Sequence, residues 1–187
     1  MKATWKWFVV FIYTIGLFVA TPYLPQLIQA ATSRWSRSGV SRFILGVEIA
    51  IALVLAALAV YFVIQKKKKS LVFVVSIGCI FLLAFIIYQF IPNPYEFTHL
   101  PEYAVLSMLI FWAMNDTSKS YANRKKYIKM KIFKNIYFQS GIITGTIGST
   151  DEIYQLFLRN RSYTWYDIFL NIIGGILGLI ILWGIKR

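Results

Sequence analysis

Two runs, Phe43 to Ile64 and Leu71 to Ile91, are predominantly apolar, and little more than the four lysines Lys66 to Lys69 separates them. Each is as long as a membrane span, because about 20 residues at ~1.5 Å rise cross a ~30 Å hydrocarbon core. A chain organised around two such runs is expected to fold as an all-α membrane protein. Composition extends this to the whole chain. With 58% hydrophobic and 14% charged residues, its 187 residues hold more apolar surface than a soluble domain of that size can bury. The expectation is therefore a single integral membrane domain over 1–187.

Four further segments qualify as spans: Trp5 to Thr21, Pro101 to Asn115, Lys134 to Leu158 and Tyr166 to Ile185, giving about six in all. The segment from Pro101 is short. That from Lys134 is diluted by Gln139, Ser140, Gly141, Thr144, Gly145, Thr146, Gly148 and Ser149, as in a helix packed among other helices rather than facing lipid.

The distribution of charge supplies orientation. Lys2, Lys6, the lysines at 66–69, the seven Lys and Arg between Lys119 and Lys134, and Lys186 with Arg187 fall in one set of connections. The alternate set holds only Arg34, Arg37, Arg42, Arg159 and Arg161. Fifteen against five is a positive-inside bias that places both termini in the cytoplasm. The net charge of +13 is thus a topology signal, with attraction to anionic lipid as a secondary effect, and nucleic acid is not an expected partner. Lys2 and Lys6 precede an apolar run, but Phe18 stands where a cleavage site wants a small residue, so the first span is read as retained. Cys79 is the one cysteine, which excludes an intramolecular disulfide, and it reads as an inert buried thiol. The stretch from Asp116 to Lys134 reads as a basic cytoplasmic loop.

The polar residues of the last two spans fall into stripes. Gly141, Gly145, Gly148, Glu152 and Gln155 follow steps of four, three, four and three; Asp167, Asn171, Gly174 and Gly178 follow four, three and four. At ~100° per residue each set shares one helix face, glycine-lined within the membrane and polar at the outer end. Glycine faces allow helix backbones to approach closely. The two stripes are expected to meet in an antiparallel hairpin, with Glu152 and Gln155 beside Asp167 and Asn171 and with the loop arginines in reach. Pro101 suits the first turn of the fourth span and so puts His99, Glu102 and Tyr103 at the same interface. Glu48 lies a few residues inside the outer boundary of the second span and joins them or snorkels toward Arg42. The expected site is an outward-facing polar pocket.

In order along the chain, His99-Leu-Pro-Glu102-Tyr, Asp151-Glu152-Ile-Tyr-Gln155-Leu-Phe157, Arg161-Ser162, and Asp167-Ile-Phe-Leu-Asn171-Ile-Ile-Gly174 with Gly178 resemble the signature of the VanZ-like family. The resemblance covers residues 95–185. It implies a bacterial cell-membrane protein of a family named for low-level resistance to teicoplanin, a glycopeptide with a fatty-acyl tail. It also implies His99, Glu102, Asp151, Glu152, Gln155, Arg161, Asp167 and Asn171 as ligand-binding residues, with a lipid-linked envelope precursor or a lipoglycopeptide as the class of partner. Two positions depart from the family pattern: Asn160, where a turn residue such as Pro or Gly often precedes the arginine, and Tyr154, where His is frequent.

Chemistry narrows the enzyme classes. A single histidine rules out HExxH zinc sites and membrane hydrolases that require two histidines. Acid–base work by Glu152 with His99, or with Asp151, stays open, with no cofactor or metal expected. Binding is favoured over catalysis: Arg161 would grip an anion while the carboxylates and amides take hydroxyl and amide groups. An accessory scaffold for another membrane complex stays open. So does a purely structural role, in which Glu152 or Asp167 pairs with Arg159 or Arg161 to staple the last turn.

Overall fold

The computed structural model describes residues 4–65, 98–124, 135–158 and 164–186, with isolated positions between 74 and 96. Among these the chain is all-α: α1 Thr4–Ala20, α2 Leu24–Gln65, α3 His99–Arg124, α4 Ile136–Gln155 and α5 Trp165–Lys186. One described helix, over Trp165–Trp183, is long and apolar enough by itself to cross a bilayer.

Local chemistry explains most helix ends. Asn135 caps α4 by accepting the amide of Phe138 at 3.2 Å, and the helix unwinds after Gln155 through three successive three-residue turns. Thr164 caps α5: its Oγ1 accepts the Asp167 amide at 3.3 Å and donates to Oδ2 of Asp167 at 2.7 Å. This is a variant of the capping box, in which residues three apart satisfy first-turn groups reciprocally. Pro101 sits in the first turn of α3, where its missing N–H costs nothing.

Two boundaries differ from the sequence expectation. The second helix begins at Leu24 rather than Phe43, so Arg34, Arg37 and Arg42 lie on helix and not in a loop. Ser36 interrupts it at φ 63°, and its Oγ accepts the Gly39 amide, so that the second stretch starts with a side-chain cap of its own. Likewise α3 continues past Asn115 to Arg124, taking up the first part of the expected basic loop. Lys66 to Lys69 and most of the third expected span lie outside the described residues. Cys79 is exposed rather than buried.

The chain divides into two units, residues 1–23 with 99–179 and residues 24–98 with 180–187. In the first, side-chain contacts fix the order of helices. Lys6 pairs with Asp116 and lies over the Trp112 ring, Trp7 Nε1 donates to Thr117, and the Tyr13 hydroxyl donates to the Glu102 carbonyl, so α1 runs antiparallel to α3. Tyr103 meets Asp151, and Met114 meets Ser140, making α3 and α4 antiparallel as well. Between them Val10, Tyr103, Leu106, Ile110 and Ala113 form a buried apolar core.

α5 packs by its glycines. A Cβ added to Gly174 would stand 2.5 Å from the Leu100 carbonyl oxygen, and one on Gly178 would overlap the Ala104 carbonyl and Ser107 Oγ. Those two glycines therefore let α5 lie on the backbone of α3. Gly148 of α4 is pressed against Asn171 and Tyr103, while Gly175 meets Thr144. The expected meeting of two glycine stripes is thus revised: only Gly148 receives the polar part of the α5 stripe, and α3 takes its glycines. Gly141 and Gly145 make ordinary contacts with Leu179 and Ile172.

Substituting Gly178 by Val should reduce stability by about 1–3 kcal/mol or prevent assembly, since the obstructing atoms include backbone. Gly16→Ala, where nothing lies within 4 Å, should be near neutral. Thermal unfolding of the purified variants, with their yield of folded protein, checks the contrast.

Candidate functional site

The antiparallel order brings four helix ends together: the C-terminal ends of α1 and α4 and the N-terminal ends of α3 and α5. Each contributes polar groups by its own register. Asp151, Glu152 and Gln155 occupy the last turn of α4, His99 opens α3, and Asn171 lies one turn (~5.4 Å) inside Asp167 on α5. All six are buried, with Glu152 and Asn171 fully so. These six side chains are packed within the helix contacts.

Asp151 and Glu152 are adjacent in sequence and serve different neighbours. Oδ2 of Asp151 accepts the Tyr103 hydroxyl at 3.2 Å from α3, and Oδ1 accepts Thr21 Oγ1 at 3.3 Å from the end of α1. Oε1 of Glu152 accepts Gln155 Nε2 at 3.1 Å and Asn171 Nδ2 at 3.2 Å. The same Asn171 nitrogen also donates to the Gly148 carbonyl at 3.2 Å. Both partners of that nitrogen are acceptors, so the orientation of the amide is set by chemistry: its NH2 must face them. Its oxygen, Oδ1, is left buried with no hydrogen-bond partner.

His99, Asp151 and Glu152 converge further. One donor atom from each lies within 4.8 Å of the other two. The His99 ring stacks over Tyr103 at a centroid distance of 6.3 Å, which ties the imidazole to the residue that also holds Asp151. An imidazole next to two oriented carboxylates can relay a proton or hydrogen-bond a ligand, and in its neutral form can coordinate a cation.

Other anticipated residues are placed elsewhere. Asp167 is engaged with Thr164 as the cap of α5, a structural duty. Glu102 is partly exposed, and its backbone carbonyl, not its carboxylate, receives Tyr13. Arg159 and Arg161, and the side chain of Glu48, lie outside the described residues, as does any staple made by those arginines. Thr21 was not anticipated as a site residue; a lone hydroxyl at a span end carries no pattern. Tyr103 had a signal, its four-residue spacing from His99.

No family model, curated protein or solved structure matches the chain.

Replacing Asn171 by Leu removes a donor from a buried carboxylate and should cost about 1–3 kcal/mol. Thr164→Ala, losing the cap of α5, should cost about 1 kcal/mol. Thr146→Ala, whose exposed hydroxyl only bonds its own helix, should stay within about 0.5 kcal/mol of the parent. Chemical or thermal unfolding of the purified variants ranks the three.

Proposed function

We propose that this chain is a VanZ-like multi-pass protein of the bacterial cell membrane, with about six spans and both termini cytoplasmic. Its polar helix-end cluster recognises a cell-surface or lipid-linked envelope component and so supports low-level resistance to teicoplanin. The observation that carries the reading is convergence. Of the residues on which the family resemblance rests, His99, Asp151, Glu152, Gln155 and Asn171 come from three separate helices to one end of the unit, where they are mutually bonded or within coordinating reach.

Two further features support it. Alongside the apolar core, Ser107, Ser140, Thr144, Glu152 and Asn171 are fully buried, while Phe8, Phe11, Ile12, Phe138, Ile142, Phe169 and Ile176 are exposed. Apolar side chains spread over the outside of helices whose contacts are polar or glycine-rich suit a lipid solvent. At the cluster's end of the unit, Phe157 and Trp165 are 81% and 76% exposed. An aromatic rim beside buried acids and amides is suited to a ligand with both an acyl chain and a polar head.

A catalytic version of the same site, with Glu152 and His99 exchanging protons with a lipid-linked substrate, is favoured by the proximity of those two side chains. Glu152→Gln separates the possibilities. The substitution keeps the shape and one acceptor oxygen while removing the charge. In cells challenged with teicoplanin, with folded membrane abundance measured in parallel, the expected result is normal abundance and an inhibitory concentration that falls to that of cells lacking the protein. Full protection would defeat the proposal, and collapsed abundance would assign Glu152 to structure. Unchanged envelope-lipid masses between parent and variant mark a binder; a shifted mass marks an enzyme.

A further inference from the structure

The trio formed by His99, Asp151 and Glu152 has the composition and spacing of a metal site. Imidazole and carboxylate are ligands of first-row divalent ions, and the absence of thiolate at this end disfavours soft ions such as Cu(I). At metal–ligand bonds of about 2.1 Å, three donors around one ion stand ~3.4–3.6 Å apart. The donors here lie within 4.8 Å of one another, so side-chain movements that close them by up to ~1.4 Å bring all three onto one ion. The three residues are buried, at 6%, 3% and 0% exposure.

Two features around the trio point the same way. The carboxylates are already oriented, Asp151 by Tyr103 and Thr21, and Glu152 by Gln155 and Asn171. Such outer hydrogen bonds are what fix metal-ligating carboxylates in place. Independently, Oδ1 of Asn171 is a fully buried amide oxygen with no hydrogen-bond partner, carried by the same amide whose nitrogen rests on Glu152. An amide oxygen is a hard donor of the kind that Mn2+ and Zn2+ accept alongside carboxylate.

We propose that His99, Asp151 and Glu152 bind one divalent cation of the zinc or manganese class. With a neutral imidazole, a dication balances the two carboxylates and ties the first turn of α3 to the last turn of α4. The site stands apart from the resistance reading: its test reads metal, not protection.

The experiment uses the full chain purified in detergent, stripped with EDTA and titrated with Zn2+ and with Mn2+. About one equivalent of either ion should bind, with a rise in the unfolding temperature. His99→Gln and Asp151→Asn should each weaken binding by about tenfold or more. Asp116→Asn, which removes a charge paired with Lys6 at the other end of the unit, should leave it unchanged. Because His99 is the only histidine, an isotope-labelled imidazole gives a single NMR signal in the unaltered protein. That signal should shift on adding Zn2+ and broaden with Mn2+, which keeps the test valid even where a variant fails to fold. No binding above the buffer blank, or binding that leaves the His99 signal unmoved, would overturn the proposal and leave the carboxylates to be balanced within the chain.

Discussion

The first unit is organised by the absence of two side chains. Gly174 and Gly178 allow α5 to rest on the carbonyls of Leu100 and Ala104, a separation that any Cβ would forbid. Once that contact fixes the rotation and depth of α5, Asn171, lying one turn before Gly174, has no freedom of register. Its amide falls on Gly148 and Glu152. Gly148 is the counterpart on α4, since a side chain there would displace both Asn171 and Tyr103. Close packing and the polar cluster are therefore one arrangement: the glycines bring backbones together, and the acids and amides occupy the end where the helices meet.

Placing Glu152 and Asn171 at zero exposure carries a solvation penalty that hydrogen bonding must offset. Along the rest of the helices the structure avoids that penalty by local means. Ser107, Thr144, Thr14 and Thr117 each donate to a carbonyl three or four residues earlier in their own helix. These hydroxyls are small and internally satisfied, so they suit an interface in which helices lie close. At the cluster, uncharged side chains cross between helices as donors to carboxylates, whereas the Lys6–Asp116 ion pair joins α1 and α3 at the other end. The polar groups of the interior thus divide into those that let helices pack and those that converge, and the second set contains the residues that carry the family resemblance.

Much of this was legible in the sequence. Helical stripes located Glu152, Gln155, Asn171 and the glycines, Pro101 located the start of α3, and alternating span direction placed His99 beside the α4 end. What the stripes could not show was which neighbour each face meets. A period of 3.6 identifies a face, not its partner, and α3 rather than α4 receives Gly174 and Gly178. The start of α2 was hidden because Arg34, Arg37 and Arg42 read as a loop by charge, although arginine is a good helix former. The extension of α3 was hidden by the polar run from Asn115 to Ser120 for the same reason. Thr21 carried no periodic signal at all, yet its hydroxyl reaches Asp151 from the end of α1.

The placement of acids at this end also follows a field argument. Asp151 and Glu152 lie in the last turn of α4, where the negative end of the helix dipole opposes them. Taken alone α4 would be destabilised by its own carboxylates. The antiparallel order corrects this, because the end of α4 is also where α3 and α5 begin, and their N-terminal ends carry the opposite partial charge. Glu102 and Asp167, in the first turns of α3 and α5, occupy the favourable position on their own helices. Asp151 and Glu152 also accept side-chain hydrogen bonds from those helices, from Tyr103 of α3 and Asn171 of α5. The carboxylates are consequently stable only when all three helices are assembled, which couples the integrity of the cluster to the close packing that the glycines permit.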